Sequence, residues 1–307
     1  MKAASVALGA LLALLAVIAP GFYSASNLRD LLLNNAPALL VAVGMTAVIL
    51  AGQIDISVAS QFALVSVLSA VLAKLGVPVI ALLVIAPLLG GALGAINGVL
   101  VSRLRIPAIV ATLAAMAVLR ESLRWATDGA WIQNLPSSFQ WMGLGQAGGQ
   151  TVILMVTAAV FAAVAWALRN LAGGRAVYAT GSNFEAARLA GLFPDRVVMA
   201  VFVFCGGMTG LAAFLNSIRF SEIPSNAGAG IEMKAIAAAV VGGCAITGGR
   251  GSAAGTLAGA MLLGTIGTAL TFLHVDAAWE KAIQGAIILA AIMAATARLP
   301  GGAHAAK

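Results

Sequence analysis

The chain has 307 residues, of which 62% are hydrophobic and 9% charged, and a formal net charge of +7. A mean hydropathy of +1.04 leaves too few polar groups to cover a soluble globule of this length. The apolar runs have the length of membrane helices rather than of alternating ten-residue strands, which excludes an outer-membrane barrel and predicts an all-α, polytopic transmembrane helical bundle. In such a chain the positive balance reads as topology and contact with anionic lipid, not as nucleic-acid binding.

Apolar runs and their polar breaks place about ten spans, at 3–19, 36–52, 58–73, 78–101, 107–125, 151–168, 197–216, 233–247, 252–272 and 278–297. No linker or low-complexity segment divides them, so residues 1–307 are expected to form a single transmembrane domain. Cytoplasmic N- and C-termini put ten of the 17 basic residues inside, Arg103, Arg105, Arg169, Arg175, Arg188, Arg196 and Arg250 among them, and seven of the ten acids outside. The first run follows Lys2 and resembles a signal peptide, but retaining it as a helix preserves this parity.

Taken in chain order, the first notable polar residue is Asp55, in Gln53-Ile54-Asp55-Ile56-Ser57 between two apolar runs. It either caps the following helix or sits in a broken helix lining a pathway. Gly90, Gly94 and Gly98 share one face of the fourth span, with Asn97 beside them, and Gly206 with Gly210 and Gly255 with Gly259 repeat the spacing. Small residues four apart allow close helix approach. The interruption at about 126–150 is expected outside, with a short interfacial helix and Trp125, Trp131 and Trp141 at headgroup depth.

The second long interruption, about 169–196, is too polar to span and is expected inside. From Asn183 it reads as a short helix, with Asn183 as N-cap, Glu185 in the first turn and Gly191 ending it at positive φ. Glu232 and Lys234 head the eighth span but are two apart, so they do not face each other and are read as separate rim groups. Gly248, Gly249, Arg250 and Gly251 make a hinge between two apolar stretches. The run from Gly243 to Arg250 is no phosphate loop, because no Lys-Ser/Thr follows. Two histidines, His274 and His304, and two cysteines, Cys205 and Cys244, offer no ligand spacing, so no metal site or catalytic residue is expected; the cysteines read as buried small hydrophobes.

Four stretches in order carry a resemblance: Ala42–Thr46 through Ile54–Val58; Ile96–Leu100 through Ile106–Leu113; Gly174 to Gly191; and Glu232 through Gly255. Over nearly its whole length the chain resembles the membrane-spanning permease subunits of ribose/xylose/autoinducer-2-type sugar ABC importers. Trp125–Ile132 and Tyr178–Gly181 lean toward the rhamnose or autoinducer-2 branch. Where relatives usually carry glycine, this chain has Ala59.

The resemblance implies a bacterial inner-membrane permease that pairs with a second copy or homologue, binds ABC ATPase subunits and receives a small sugar from a periplasmic solute-binding protein. Glu185, Ala186, Ala187 and Gly191 would form the ATPase-coupling helix, supported by Arg175 and Asn183. Asp55, Asn97, Glu232 and Lys234 are candidate pathway or gating groups. No cofactor is expected on this chain, since ATP would be used by the partner ATPase. The alternative class is a self-sufficient secondary transporter or channel for a small polar solute, disfavoured because ionisable groups other than Asp55 cluster at span ends.

Overall fold

A computed structural model describes residues 2–273 and, beyond them, Trp279, Ala282, Ile283, Gly285, Ala286, Ile287 and Leu289. Among these residues the elements are α1 (Lys2–Ile18), α2 (Ala25–Leu50), α3 (Val58–Lys74), α4 (Val79–Ser102), α5 (Ala108–Thr127), α6 (Gly145–Asn170), α7 (Ala172–Ser182), α8 (Phe184–Leu189), α9 (Pro194–Ser217), α10 (Ile231–Val241) and α11 (Ala253–Phe272). Five stretches are long and apolar enough to cross a membrane: Ala25–Leu50, Val79–Ser102, Gly145–Asn170, Pro194–Ser217 and Ala253–Leu270. The chain is thus an all-helical, multi-pass membrane protein in its described part; most of the expected span at 278–297 lies outside the described residues.

Helix α2 is the axis of the bundle. Its apolar window is 78% buried, against 28% for α4 and 22% for α6, and it packs against α6, α9, α10 and α11. A helix that is apolar all round belongs inside such a shell. It begins eleven residues before the expected start at 36, across the polar run Arg29, Asp30, Asn34 and Asn35. Tertiary partners explain the extension. Pro37 has no N–H, so the carbonyl four residues back, that of Leu33, loses its helical donor. Arg219 supplies the missing bond, Nη1 donating to Leu33 O at 3.0 Å while Nη2 donates to Asn34 Oδ1 at 2.6 Å.

The glycine faces read from the sequence meet each other. A Cβ on Gly90 would collide with the Gly206 carbonyl and stand 2.9 Å from Gly210 Cα, and one on Gly206 would stand 3.0 Å from Gly94 Cα. Helices α4 and α9 therefore touch backbone to backbone. The same device closes the α10–α11 hairpin, where a Cβ on Gly259 would strike Ala238 O and stand 3.0 Å from the Gly242 nitrogen.

Helix α10 stops at Val241 rather than 247, because Gly243 turns the chain at φ +98°. Its 11 residues rise only about 16 Å, roughly half a bilayer core. Both cysteines are buried and unpaired with each other. In place of the expected interfacial helix at 126–150 there is a tight turn at Gln140–Gly143, with Trp141 and Met142 in the left-handed region at φ +54° and +58°, before α6 begins at Gly145. Trp125 and Trp131 are exposed, whereas Trp141 is tucked against Gly149 and its backbone N–H donates to Ile218 O at 2.6 Å.

The two ends of the bundle differ in what they collect. One holds the end of α3, where Lys74 Nζ donates to Gln133 O at 3.0 Å, the bridge between Ile132 and Ile223, and the Arg219 contacts. The other holds the last turn of α2, the α7–α8 segment and the turn between α10 and α11.

Candidate functional site

The α7–α8 segment is built by local chemistry. Asn183 leaves the helical region at φ −161° and ψ 111°, and its Oδ1 accepts from the Ala186 N–H at 2.9 Å, which is the expected N-cap. Glu185 and Arg188 fall in the first and last turns of α8, each at the end where the helix dipole favours its sign. Gly191 adopts φ +84°, and the Leu192 N–H returns to Ala187 O at 3.1 Å, closing the C-terminus. Arg175 Nη1 donates to Asn170 O at 3.1 Å, tying the start of α7 to the end of α6.

Of α8 only Ala187 is buried. Phe184, Glu185, Ala186, Arg188 and Leu189 are exposed, Leu189 to 89%. A well-capped turn that presents an apolar side chain this openly, between charges of both signs, has the makings of a docking surface. The regular helix before it, α7, was not foreseen from the sequence, because it is short and holds three glycines, Gly173, Gly174 and Gly181, which disfavour helix.

Behind this surface three chain segments meet through glycine. The Gly249 N–H donates to Leu50 O at 2.9 Å, satisfying one of the carbonyls left open at the end of α2. A Cβ on Gly181 would collide with that same carbonyl and stand 2.8 Å from the Gly249 nitrogen. Gly248, Gly249 and Gly251 have φ of +90°, +71° and +151°, values that strain any other residue. The turn is closed by the Ala245 N–H donating to Arg250 O at 2.8 Å, and Tyr178 Oη donates to Gly251 O at 3.0 Å. Burial, with the nearby Cys244 adding to it, raises the Tyr178 pKa above the ordinary phenol range, so the donor stays protonated.

One step further along the chain, residues 51–57 leave the helix, and Asp55 is fully buried. Its Oδ1 accepts from the Ser57 N–H at 2.9 Å and from Ser57 Oγ at 2.6 Å; Oδ2 accepts from Gln61 Nε2 at 3.4 Å. Ser57 Oγ in turn accepts from Asn97 Nδ2 and Gln61 Nε2, each at 2.7 Å. Asp55 is thus not itself the N-cap of α3, which is Ser57; it holds Ser57 from within the break at 51–57 and, through Ser57, ties that break to Asn97 on α4. Ser57 and Gln61 were missed as partners, although their spacing from Asp55 along α3 was visible.

The other expected pathway groups stand apart from this network. Glu232 and Lys234 lie in the first turn of α10, where Lys234 borders a small pocket with Asn35, Ala38, Ala238 and Gly264, and Glu232 Oε2 is buried without a hydrogen-bond partner. Among the described residues no group of three His, Cys, Asp or Glu is placed to hold a metal.

Helices long enough to cross a bilayer, a broken helix at a buried carboxylate and an exposed capped helix define a membrane transport subunit. Residues 27–292 match the family profile described as branched-chain amino acid transport system / permease component, and the chain belongs to that family. It is 34% identical to the ribose import permease protein RbsC of Escherichia coli K12 over 292 residues, 94% of this chain and 91% of the relative. It is 35% identical to the autoinducer 2 import system permease protein LsrC of Yersinia pseudotuberculosis serotype O:3 over 283 residues, 92% of this chain and 81% of the relative. Identities this close do not single out the branch that the sequence favoured. No solved structure matches the chain.

Proposed function

We propose that this chain is the transmembrane permease subunit of a bacterial ABC importer, seated in the inner membrane and translocating a monosaccharide or related solute of the ribose, xylose, rhamnose or autoinducer-2 kind. The single observation that carries the reading is the α8 surface, a capped helix with nearly all its side chains exposed, in a chain whose family consists of permease components. Glu185, Ala186, Ala187 and Gly191 form the coupling element that fits an ATPase cleft, with Asn183 fixing its start and Arg175 anchoring α7. Asp55, Asn97, Glu232 and Lys234 remain the candidate gating groups.

The full bundle has about ten spans with both termini cytoplasmic. Support comes from Arg103, Arg105, Arg169, Arg175, Arg188, Arg196 and Arg250, all in the segments that flank or form the α7–α8 end. Its partners are a second permease copy or homologue, two ATPase domains and a periplasmic solute-binding protein. ATP binds the ATPase, and the differential affinity of that subunit for two arrangements of the permease drives the switch between outward- and inward-facing states.

Glu185→Arg tests the reading. The variant should insert and purify normally yet fail to co-purify a P-loop ATPase and fail to support uptake. Normal uptake by the variant, or uptake by the wild-type chain alone in ATP-free liposomes, overturns it in favour of a self-sufficient carrier.

A further inference from the structure

We infer that Gly181 and Tyr178 are positioning residues of a rigid joint that makes the α10–α11 hairpin and the end of α2 follow α7; this rests on α8 being the ATPase dock. Three observations carry it. The contact is made by main chain, with the Gly249 N–H on Leu50 O at 2.9 Å and Gly181 set against both, so no flexible side chain absorbs a displacement. The hairpin beyond the joint is itself stiff, since Gly242, Gly255 and Gly259 close it backbone to backbone. A second pin lies further along the same helices, where the hydroxyls of Thr46 on α2 and Thr256 on α11 share a hydrogen bond of 2.7 Å, both fully buried.

The joint also differs from ordinary helix packing in where its bonds come from. Each partner is a helix end or a turn: the last residue of α2, the last turn of α7 and the turn between α10 and α11. Tyr178 Oη spans from α7 to Gly251 O at 3.0 Å, so α7 is held to the turn at two places, near Gly251 and at Gly248–Gly249. Closely packed interiors transmit displacement rather than absorbing it. A movement imposed on α8 and α7 therefore arrives at α10 and at α2 together. By contrast the main helix partners of α5 are α3 and α4, outside the joint.

Spin labels measure this directly in the assembled importer, in a Cys205→Ala, Cys244→Ala background. Labels go at Ala172 on α7, Met233 on α10 and Val118 on α5, all exposed and none on the α8 dock. Pulsed electron resonance then compares the ATP-free state with ATP plus vanadate. In the wild-type chain the Ala172 to Val118 distance should shift while Ala172 to Met233 stays fixed. With Gly181→Ala or Tyr178→Phe, Ala172 to Met233 should itself shift, by about 2 Å or more, with the ATPase still bound. If Gly181→Ala does not assemble, Tyr178→Phe, which removes one hydroxyl and no packing, decides alone. The joint is overturned if Ala172 to Met233 moves as far as Ala172 to Val118 in the wild type, or if it stays fixed in the variants. No response of Ala172 to Val118 in the wild type instead refutes α8 as the dock, and the joint with it.

Discussion

The contact between α4 and α9 and the surface of α8 are opposite uses of small, well-placed residues. In the first, Gly90, Gly94, Gly206 and Gly210 bring two backbones together until a single added carbon would strike a carbonyl. In the second, Asn183 and Gly191 fold six residues into a turn whose side chains almost all face outward. One region is complete within the chain, and the other, on the proposed reading, is finished by a partner. The difference teaches that glycine density alone does not distinguish static packing from function; what lies on the far side of each residue does.

The largest effect should come from closing that internal contact. Gly206→Leu sets a side chain against the Gly90 carbonyl and Gly94, and should cost at least about 3 kcal/mol or prevent assembly. In the same helix Gly207→Ala meets only Pro87 O at 3.6 Å and should be nearly neutral. Thermal unfolding in detergent compares the pair, and equal losses would show that α4 and α9 tolerate separation.

Asp55→Ala belongs to the same closed class. It strips the acceptor from Ser57 and Gln61 in a buried network and should destabilise by about 1–3 kcal/mol, read in the same assay. A neutral result would mean that water replaces the carboxylate at the break.

Substitutions on α8 should behave in the opposite way, leaving stability intact and weakening assembly. Leu189→Asp, at a side chain 89% exposed, should leave the melting temperature unchanged and reduce ATPase affinity about tenfold, or about 1.4 kcal/mol. Unchanged affinity would place the dock elsewhere. The smallest effect is expected at Asn183→Ala, which removes one cap bond worth about 1 kcal/mol and so weakens docking about fivefold, with Asn183→Asp restoring most of it. Failure of aspartate to restore it would tie Asn183 to the partner rather than to the cap.

Much of this contrast was legible in the residues. The Gly90, Gly94, Gly98 face and the Gly206, Gly210 face could be read from spacing, because a helix repeats every 3.6 residues whatever surrounds it. The Asn183 to Gly191 helix could be read because capping is settled within a few residues. Less legible were the limits of α2 and α10. The first is lengthened by Arg219, far away in sequence, answering a carbonyl that Pro37 leaves open. The second is shortened where Gly243 turns back over residues the hydropathy alone would have kept helical.

By itself, then, the sequence determined that the chain is a membrane bundle, which faces of its helices are small enough to meet, and that a capped turn interrupts the spans at 183–191. These follow from composition and from interactions that reach no further than one or two helical turns. Only the tertiary structure decided which glycine faces which, that Asp55 reaches Asn97 through Ser57, and that Gly181, Leu50 and Gly249 converge. Those contacts join residues from separate helices, and their partners are chosen by how whole helices pack, which no local pattern encodes.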